Sequence, residues 1–282
     1  MSLSLPQRMR NSAVVVMRPL SEIGSARLRG IKVVLADIDD TITSEGSLTA
    51  AAYTALESLH RAGFIVMPVT GRPAGWCDHI ARMWPVDAVV GENGAFYFCY
   101  DRAEKKMRQQ FWASAEERRS NRHKLDLIEQ EVLVEIPGSA LASDQAYRVA
   151  DLAIDFCEDV PALTESDIDR IVAVFQRNGA TAKVSSIHVN GWYGDYDKLS
   201  MAKIALKNLF AIDWETALDE VVYVGDSPND EPMFAAFPLS VGVANIYAFA
   251  NRLKNKPAFV TSGHSGDGFV EMATLLLSSR AK

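Results

Sequence analysis

Two kinds of hydrophobic pattern alternate along the chain. Residues 31–36 form a short apolar run with Val33, Val34 and Leu35 facing both sides, the signature of a strand buried in a parallel sheet. Residues 64–69, 88–90, 220–225, 239–243 and 258–261 read as further strands. Between these runs the period changes to 3.6. Ala52, Ala55, Leu56, Leu59 and Ala62 mark a helix that Ser47 is placed to cap and Gly63 to close. A second helix runs from Pro73 to about Trp84. A third covers 198–210, with Leu199, Ala202, Leu206 and Leu209 on its inner side, and others lie near 245–253 and 268–277. Such alternation predicts an α/β fold built on a parallel sheet.

The middle of the chain departs from that rhythm. Asn93-Gly94 between apolar runs is a hairpin signal, so residues 95–100 are expected to leave the parallel sheet as an antiparallel strand. Residues 101–130 are highly charged, with Glu116-Glu117-Arg118-Arg119 and few apolar anchors, and read as a solvated helix face. Strand-like runs follow at 132–136 and 152–156. Ile168, Ile171, Val172, Val174 and Phe175 give an amphipathic helix over 167–178, ended by Gly179. Residues 182–192 read as one strand whose period of two sets Ser186, His188 and Asn190 on a single face, turned to ligand or to solvent. The expected division is an N-terminal extension 1–28, a first core part 29–98, an inserted small α/β unit 99–193 and a second core part 194–282. Residues 14–17 are read as a short extra strand.

Composition removes some partners. A net charge of −7 and a pI near 5.3 lack the basic footprint of a nucleic-acid binder. No apolar run approaches the length of a membrane span. The patch 13–17 is shorter than a signal-peptide core, and Cys77, Cys99 and Cys157 lie far apart without metal-site spacing. A cytoplasmic protein with reduced thiols, binding neither nucleic acid nor membrane, is expected. Oligomeric state is left open.

Chemistry enters where the apolar runs stop. Asp37 follows the first run directly and Asp39 stands two places on. Parallel sheets place their ligands beyond the carboxyl ends of the strands. Both carboxylates face one site if Ile38 turns back into the core. Two carboxylates this close call for a cation, and magnesium takes oxygen ligands and phosphate together. The other reading is a solvated Asp-rich turn. Thr70-Gly71-Arg72-Pro73 combines a hydroxyl, a pliant backbone and a helix start, which suits phosphate, although a plain strand-to-helix turn has the same composition. Gly225-Asp226-Ser227-Pro228-Asn229-Asp230 repeats the opening design. Lys198 stands in the first turn of its helix, where the dipole disfavours a cation, so it is either a solvated lysine or one with a task.

Asp37-Ile38-Asp39-Asp40-Thr41, Thr70-Gly71-Arg72-Pro73, Lys198 and Gly225-Asp226-Ser227-Pro228-Asn229-Asp230 resemble, in order and in position at strand ends, the four motifs of the haloacid dehalogenase superfamily. The likeness spans residues 31 to about 270, and an insert between the second and third motifs resembles the type C2 cap of subclass IIB. That resemblance implies a Rossmann-like parallel-sheet core with an inserted smaller α/β cap domain. It implies a magnesium-dependent phosphatase for a small phosphorylated metabolite, a sugar phosphate above all. In that scheme Asp37 is the nucleophile and Asp39 the general acid and base, while Thr70 and Lys198 hold the phosphoryl oxygens. The metal residues are Asp37, Asp39 (through its carbonyl), Asp226 and Asp230. Substrate-binding residues are Gly71, Arg72, Asn93, His188, Asn190 and Asn229, with Ser186 and Trp192 as further candidates on the cap. A phosphomannomutase-like sugar phosphomutase is the alternative on the same scaffold, and a receiver-like phosphoacceptor module is one of another class. No Gly-x-Gly-x-x-Gly follows the first strand, so a nicotinamide enzyme is not expected.

Overall fold

The structure is a computed structural model that describes residues 17–280. The first elements are β1 (Arg18–Pro19), α1 (Ser25–Gly30), β2 (Val33–Ala36), α2 (Ala50–Arg61), β3 (Ile65–Pro68) and α3 (Ala74–Met83). A meander follows, β4 (Val89–Gly91), β5 (Phe96–Asp101) and β6 (Lys106–Phe111). Next come α4 (Ala115–Glu135), β7 (Ala140–Leu141), β8 (Asp151–Asp155), α5 (Glu165–Arg177), β9 (Thr181–Val184) and β10 (His188–Trp192). The chain ends with α6 (Lys198–Phe210), α7 (Trp214–Ala217), β11 (Val221–Gly225), α8 (Glu231–Ala236), β12 (Leu239–Gly242), β13 (Phe259–Val260) and α9 (Ser265–Arg280).

The main sheet is parallel, in the order β1-β13-β12-β11-β2-β3. Strand β2 lies inside it, between β11 and β3, and both of its faces are apolar. Val34 and Ala36 pack in the cluster that holds α2 and α9, while Val33 and Leu35 pack in the cluster that holds α6 and α8. Full burial of a Val or Leu contributes roughly 1.5–3 kcal/mol relative to exposure, so the register of β2 is firmly set. That register aligns Val33 with Val221 and Ala36 with Val224 on β11. The carboxyl ends of these neighbouring strands, and the acids that follow them, therefore meet at one edge. A second sheet, antiparallel in the order β7-β8-β10-β9, carries α4 and α5 over its own cluster of Leu125, Ile128, Val132, Ile154, Phe175 and others.

Several local expectations are corrected. Residues 132–136 close α4 instead of forming a strand. A capping box at Ser114 and Glu117 starts that helix, and it turns Val132 inward while Val134 stays 81% exposed, a helical period that the apolar run hid. Residues 182–192 are two strands, because the Ser185 hydroxyl accepts from the Ile187 and His188 N–H groups and turns the chain. Ser186 thus lies in a turn. Thr49, not Ser47, caps α2 through the Ala52 N–H. The charged stretch after residue 100 includes β6, which pairs with β5 beside β4, so the boundary set at 99 falls inside a hairpin attached to the core, and the second sheet's unit starts with α4. The helix read near 245–253 is a 3-10 segment, Ala244–Phe249. The edge strand β1 stands just after the expected one, whose residues 14–16 lie outside the described residues. No described helix is long and apolar enough to cross a membrane.

Candidate active site

Asp37 continues β2 by one residue, its N–H donating to the Val224 carbonyl at 2.9 Å. Ile38 turns into the core, as the alternation demanded, and leaves Asp37 and Asp39 at the strand edge. Asp197 caps α6 through the Ser200 N–H at 2.8 Å, which sets Lys198 at the helix start. Lys198 is 1% exposed and donates to Asp37 Oδ1 at 2.7 Å and Asp230 Oδ1 at 2.6 Å. Gly94 makes this possible. Its φ is +110°, and a Cβ there would stand 2.1 Å from the Asp197 carbonyl oxygen, so the hairpin turn can lie on the start of α6 only as glycine.

Asp230 is fully engaged. Its Oδ1 accepts from Lys198 and the Tyr223 hydroxyl, and its Oδ2 accepts from the Asp226 and Ser227 N–H groups at 2.9 and 3.3 Å. Gly225 admits this carboxylate, since a Cβ there would meet Asp230 Oδ2 at 2.3 Å. Asp226 accepts from the Thr41 hydroxyl and from Asn245, each at 3.3 Å. Asp37, Asp226 and Asp230 each offer a ligand oxygen within 4.8 Å of the others. Burial pushes the Asp37 carboxyl up to about 8, against the pull of Lys198. Burial, then Asp230 and Asp37, lift Asp226 well above the usual carboxylate range. One ammonium among three buried carboxylates leaves negative charge uncompensated, and an all-oxygen donor set suits a hard divalent cation. Asp37 and Asp226 keep lone pairs for it. Asp230 instead holds Lys198 and the 225–227 turn, and the Asp39 side chain lies outside the trio, turned to Arg72.

Arg72 joins the two sheets. It is 3% exposed and donates through Nε to Asp39 (2.8 Å), through Nη1 to Asp144 (3.2 Å) and through Nη2 to Glu158 (2.7 Å). Glu158 also pairs with His188 Nε2 at 2.8 Å, and the hydrogen bond from His188, with that from Arg72, brings its carboxyl down to about 2. Behind Arg72 stands Arg148, which grips Asp144 at 3.0 and 3.1 Å, Asp151 at 3.1 Å and the Gly71 carbonyl at 2.8 Å. Asp151 in turn accepts from Asn190 at 3.0 Å. Glu92 closes the seam by accepting from the Ala74, Val149, Ala150 and Asp151 N–H groups.

Of the residues expected to bind substrate, Gly71, Arg72, His188, Asn190 and Asn229 converge with Asp37 and Asp39 on one enclosed space of about 10 Å³, room for a single water. Asn93 stands beside them. Its Nδ2 has no partner among the described residues and would meet a Cβ on Gly71 at 3.1 Å, while its Oδ1 accepts from Asn229 at 3.3 Å. The Thr70 hydroxyl is buried and accepts from the Arg72 N–H at 3.0 Å. Ser186 lies beside Asp40. Trp192 is buried against Tyr196, away from this space. Sequence reasoning missed Arg148, Asp144, Asp151, Glu92 and Glu158. For Glu158 a signal existed, since β8 runs into Asp155, Glu158 and Asp159 just as β2 runs into Asp37.

The family model for haloacid dehalogenase-like hydrolases matches residues 34–123. The comparison with curated proteins found no match. Among solved structures, Thermoplasma acidophilum 0175 superposes with a TM-score of 0.65 at 18% identity, covering 87% of this chain and 98% of its own. The sucrose-phosphatase from Synechocystis, solved with sucrose and phosphate, gives 0.58 at 14% identity, with 86% and 97% covered. A HAD subclass IIB sugar phosphatase, BT4131, gives 0.57 at 14%, with 86% and 98% covered. The motif order, the parallel core with its antiparallel insert and the matched segment agree: residues 34–123 are similar to the haloacid dehalogenase-like hydrolases, and the whole chain shares the fold of these solved structures.

Proposed function

We propose that the chain is a magnesium-dependent phosphatase that acts on a small phosphorylated metabolite, a sugar phosphate being the class favoured by the neighbours' own substrates. The observation that carries this is the buried Asp37 at the end of β2, paired to Lys198 at 2.7 Å and flanked by Asp226 from the adjacent strand. A carboxylate with one bonded ammonium and a neighbouring acid fits nucleophilic attack on phosphorus better than it fits folding. Residues 115–192 act as the cap.

Asp37 attacks phosphorus as the bond to the leaving oxygen breaks, and the proton on Asp39 passes to that oxygen. Water then attacks the aspartyl-phosphate, Asp39 takes its proton, and phosphate leaves Asp37 free. Lys198 holds the nucleophile and the departing charge, Thr70 and the Gly71 backbone edge the phosphoryl group, and the free Nδ2 of Asn93 is a donor for one of its oxygens. Magnesium, held by Asp37 and Asp226, supplies the positive charge that lets an anionic nucleophile meet an anionic phosphate. Asp230 positions Lys198. A mutase would need a second phosphate site, and the arginines nearest the site, Arg72 and Arg148, are each already bound to carboxylates. Phosphate release across a panel of phosphorylated metabolites, with and without magnesium after chelation, tests the reading. Full activity in chelator would remove the metal from it.

A further inference from the structure

We propose that the substrate's leaving group carries an apolar substituent of aryl size, seated in the cavity between the 43–48 loop and α3. This rests on the reading of Asp39 as the residue that protonates the leaving oxygen.

The space beside the nucleophile holds about 10 Å³ and cannot take a leaving group. Two larger spaces open on Asp39. One of about 240 Å³ is polar, bounded by Asp40, Arg72 and Glu158. The other measures about 630 Å³, within the roughly 300–1,000 Å³ of small-molecule sites. Both are also lined by Thr43 and Gly46, so a ligand entering at Asp39 can extend into either. Apart from Asp39, Thr43 and His79, the side chains on the larger cavity are apolar or aromatic, with Trp76, Ile80 and Trp84 on one side, Leu48 on the loop and Tyr147 from the cap.

Ile38 and Ile80 belong to the core and Leu48 and Trp84 pack against it, but two of the walls, Trp76 and Tyr147, are not explained by the core. Helix α3 buries Ala74, Cys77, Ile80 and Ala81, and its fold does not need Trp76, which is 40% exposed. Tyr147 is 58% exposed in a short turn of the cap. Gly75 lets that turn come close, because a Cβ there would stand 2.9 Å from Tyr147 Cβ. The Trp76 ring also lies 4.4 Å from the Arg72 guanidinium, so the aromatic wall leans on the residue that binds Asp39. A plain hexose would use the polar space and leave the aromatic one to water. A leaving group with a sugar-like part and an aryl part fills both.

The test compares glucose 6-phosphate with phenyl β-D-glucoside 6-phosphate, and measures binding of phenyl β-D-glucoside, which has no phosphate, by titration calorimetry. The expected result is a kcat/KM at least about 10-fold higher for the aryl ester, the low end of what one buried methylene can give, together with saturable binding of the glucoside. His79→Trp, which narrows the cavity from its rim, should bring the ratio of the two esters toward one and weaken the glucoside by a similar factor. Equal kcat/KM for the two esters with no glucoside binding overturns the proposal and leaves the phosphatase reading intact. Glucoside binding without turnover of either ester overturns the phosphatase reading and keeps the cavity's ligand class. Neither binding nor turnover overturns the proposal, as does a loss in His79→Trp that is the same for both esters.

Discussion

Two buried cations can be compared directly. Lys198 sits at the strand edge of the core between Asp37 and Asp230, and Arg148 sits between the sheets with Asp144, Asp151 and the Gly71 carbonyl. Both are about 1% exposed in their side chains, and each is matched by two carboxylates. Their surroundings differ in what they leave unsatisfied. Around Lys198 a third acid, Asp226, stays in excess, and the Asp37 and Asp226 carboxyls are driven up. Around Arg148 burial drives up the Asp151 and Glu92 carboxyls as well, Glu92 to about 8, but every carboxylate oxygen there accepts a hydrogen bond, whereas Asp37 Oδ2 accepts none among the described residues. A buried carboxylate oxygen left without a donor marks the place where chemistry is to be done, and carboxylates whose oxygens all accept mark a joint.

The comparison breaks first at Asp37. Asp37→Asn should abolish turnover and leave no phosphorylated protein in intact-mass spectra of the quenched reaction. Asp39→Asn keeps the nucleophile, so the loss on an alcohol leaving group should be about 10²–10⁴-fold, or roughly 3–5 kcal/mol of barrier. With an activated ester the first step should recover and phosphate should collect on Asp37. Wild-type turnover in Asp37→Asn, or an adduct on another residue, removes Asp37 as nucleophile.

Substituting each cation sharpens the contrast. Lys198→Met should lower kcat by about 10²–10³-fold, the loss typical of a deleted oxyanion partner. Arg148→Met leaves Asp151 without a cation and Asp144 with Arg72 alone, and should cost roughly 3–5 kcal/mol of unfolding free energy, with a smaller change in kcat at temperatures where the protein stays folded. Denaturant titration and turnover on one preparation read both. An Arg148→Met protein as stable as wild type would show that the seam is not held by charge.

The same contrast explains what could be read from the chain. The strand-end acids were legible because they are local. An apolar run with period two or none stops at Asp37 or at Gly225-Asp226, and a few neighbouring residues decide the outcome. Lys198 was legible as a misplaced cation at a helix start. Arg148 carried no such mark. Its partners Asp144, Asp151 and Gly71 are polar residues of ordinary segments, and only the docking of the second sheet on the 70–73 turn gives them meaning. The strand β6 was hidden in the same way. Lys106, Arg108, Gln109 and Gln110 are polar, and the strand forms because β5 offers an edge to pair with. Val132-Leu133-Val134 failed differently, since three β-favouring residues in a row imitate a strand wherever a helix passes through them.

The smallest expected effect concerns how acid loosens the seam. Glu158 accepts from Arg72 and pairs with His188, with Asp39 and Asp40 nearby, and these contacts bring its carboxyl from 4.5 down to about 2. A folded-state value below the unfolded one means the unfolded chain binds the extra proton between those two pH values. Stability therefore rises with pH across that window. The contribution of Glu158 is complete above about pH 4.5 and is lost as pH falls toward 2. Glu158→Gln should lower the unfolding free energy measurably at pH 6, and the gap to wild type should close as the two proteins are acidified through this range. A gap for Glu158→Gln that stays constant from pH 6 to the acid limit would place its effect in packing and take Glu158 out of the charge network that closes the cap.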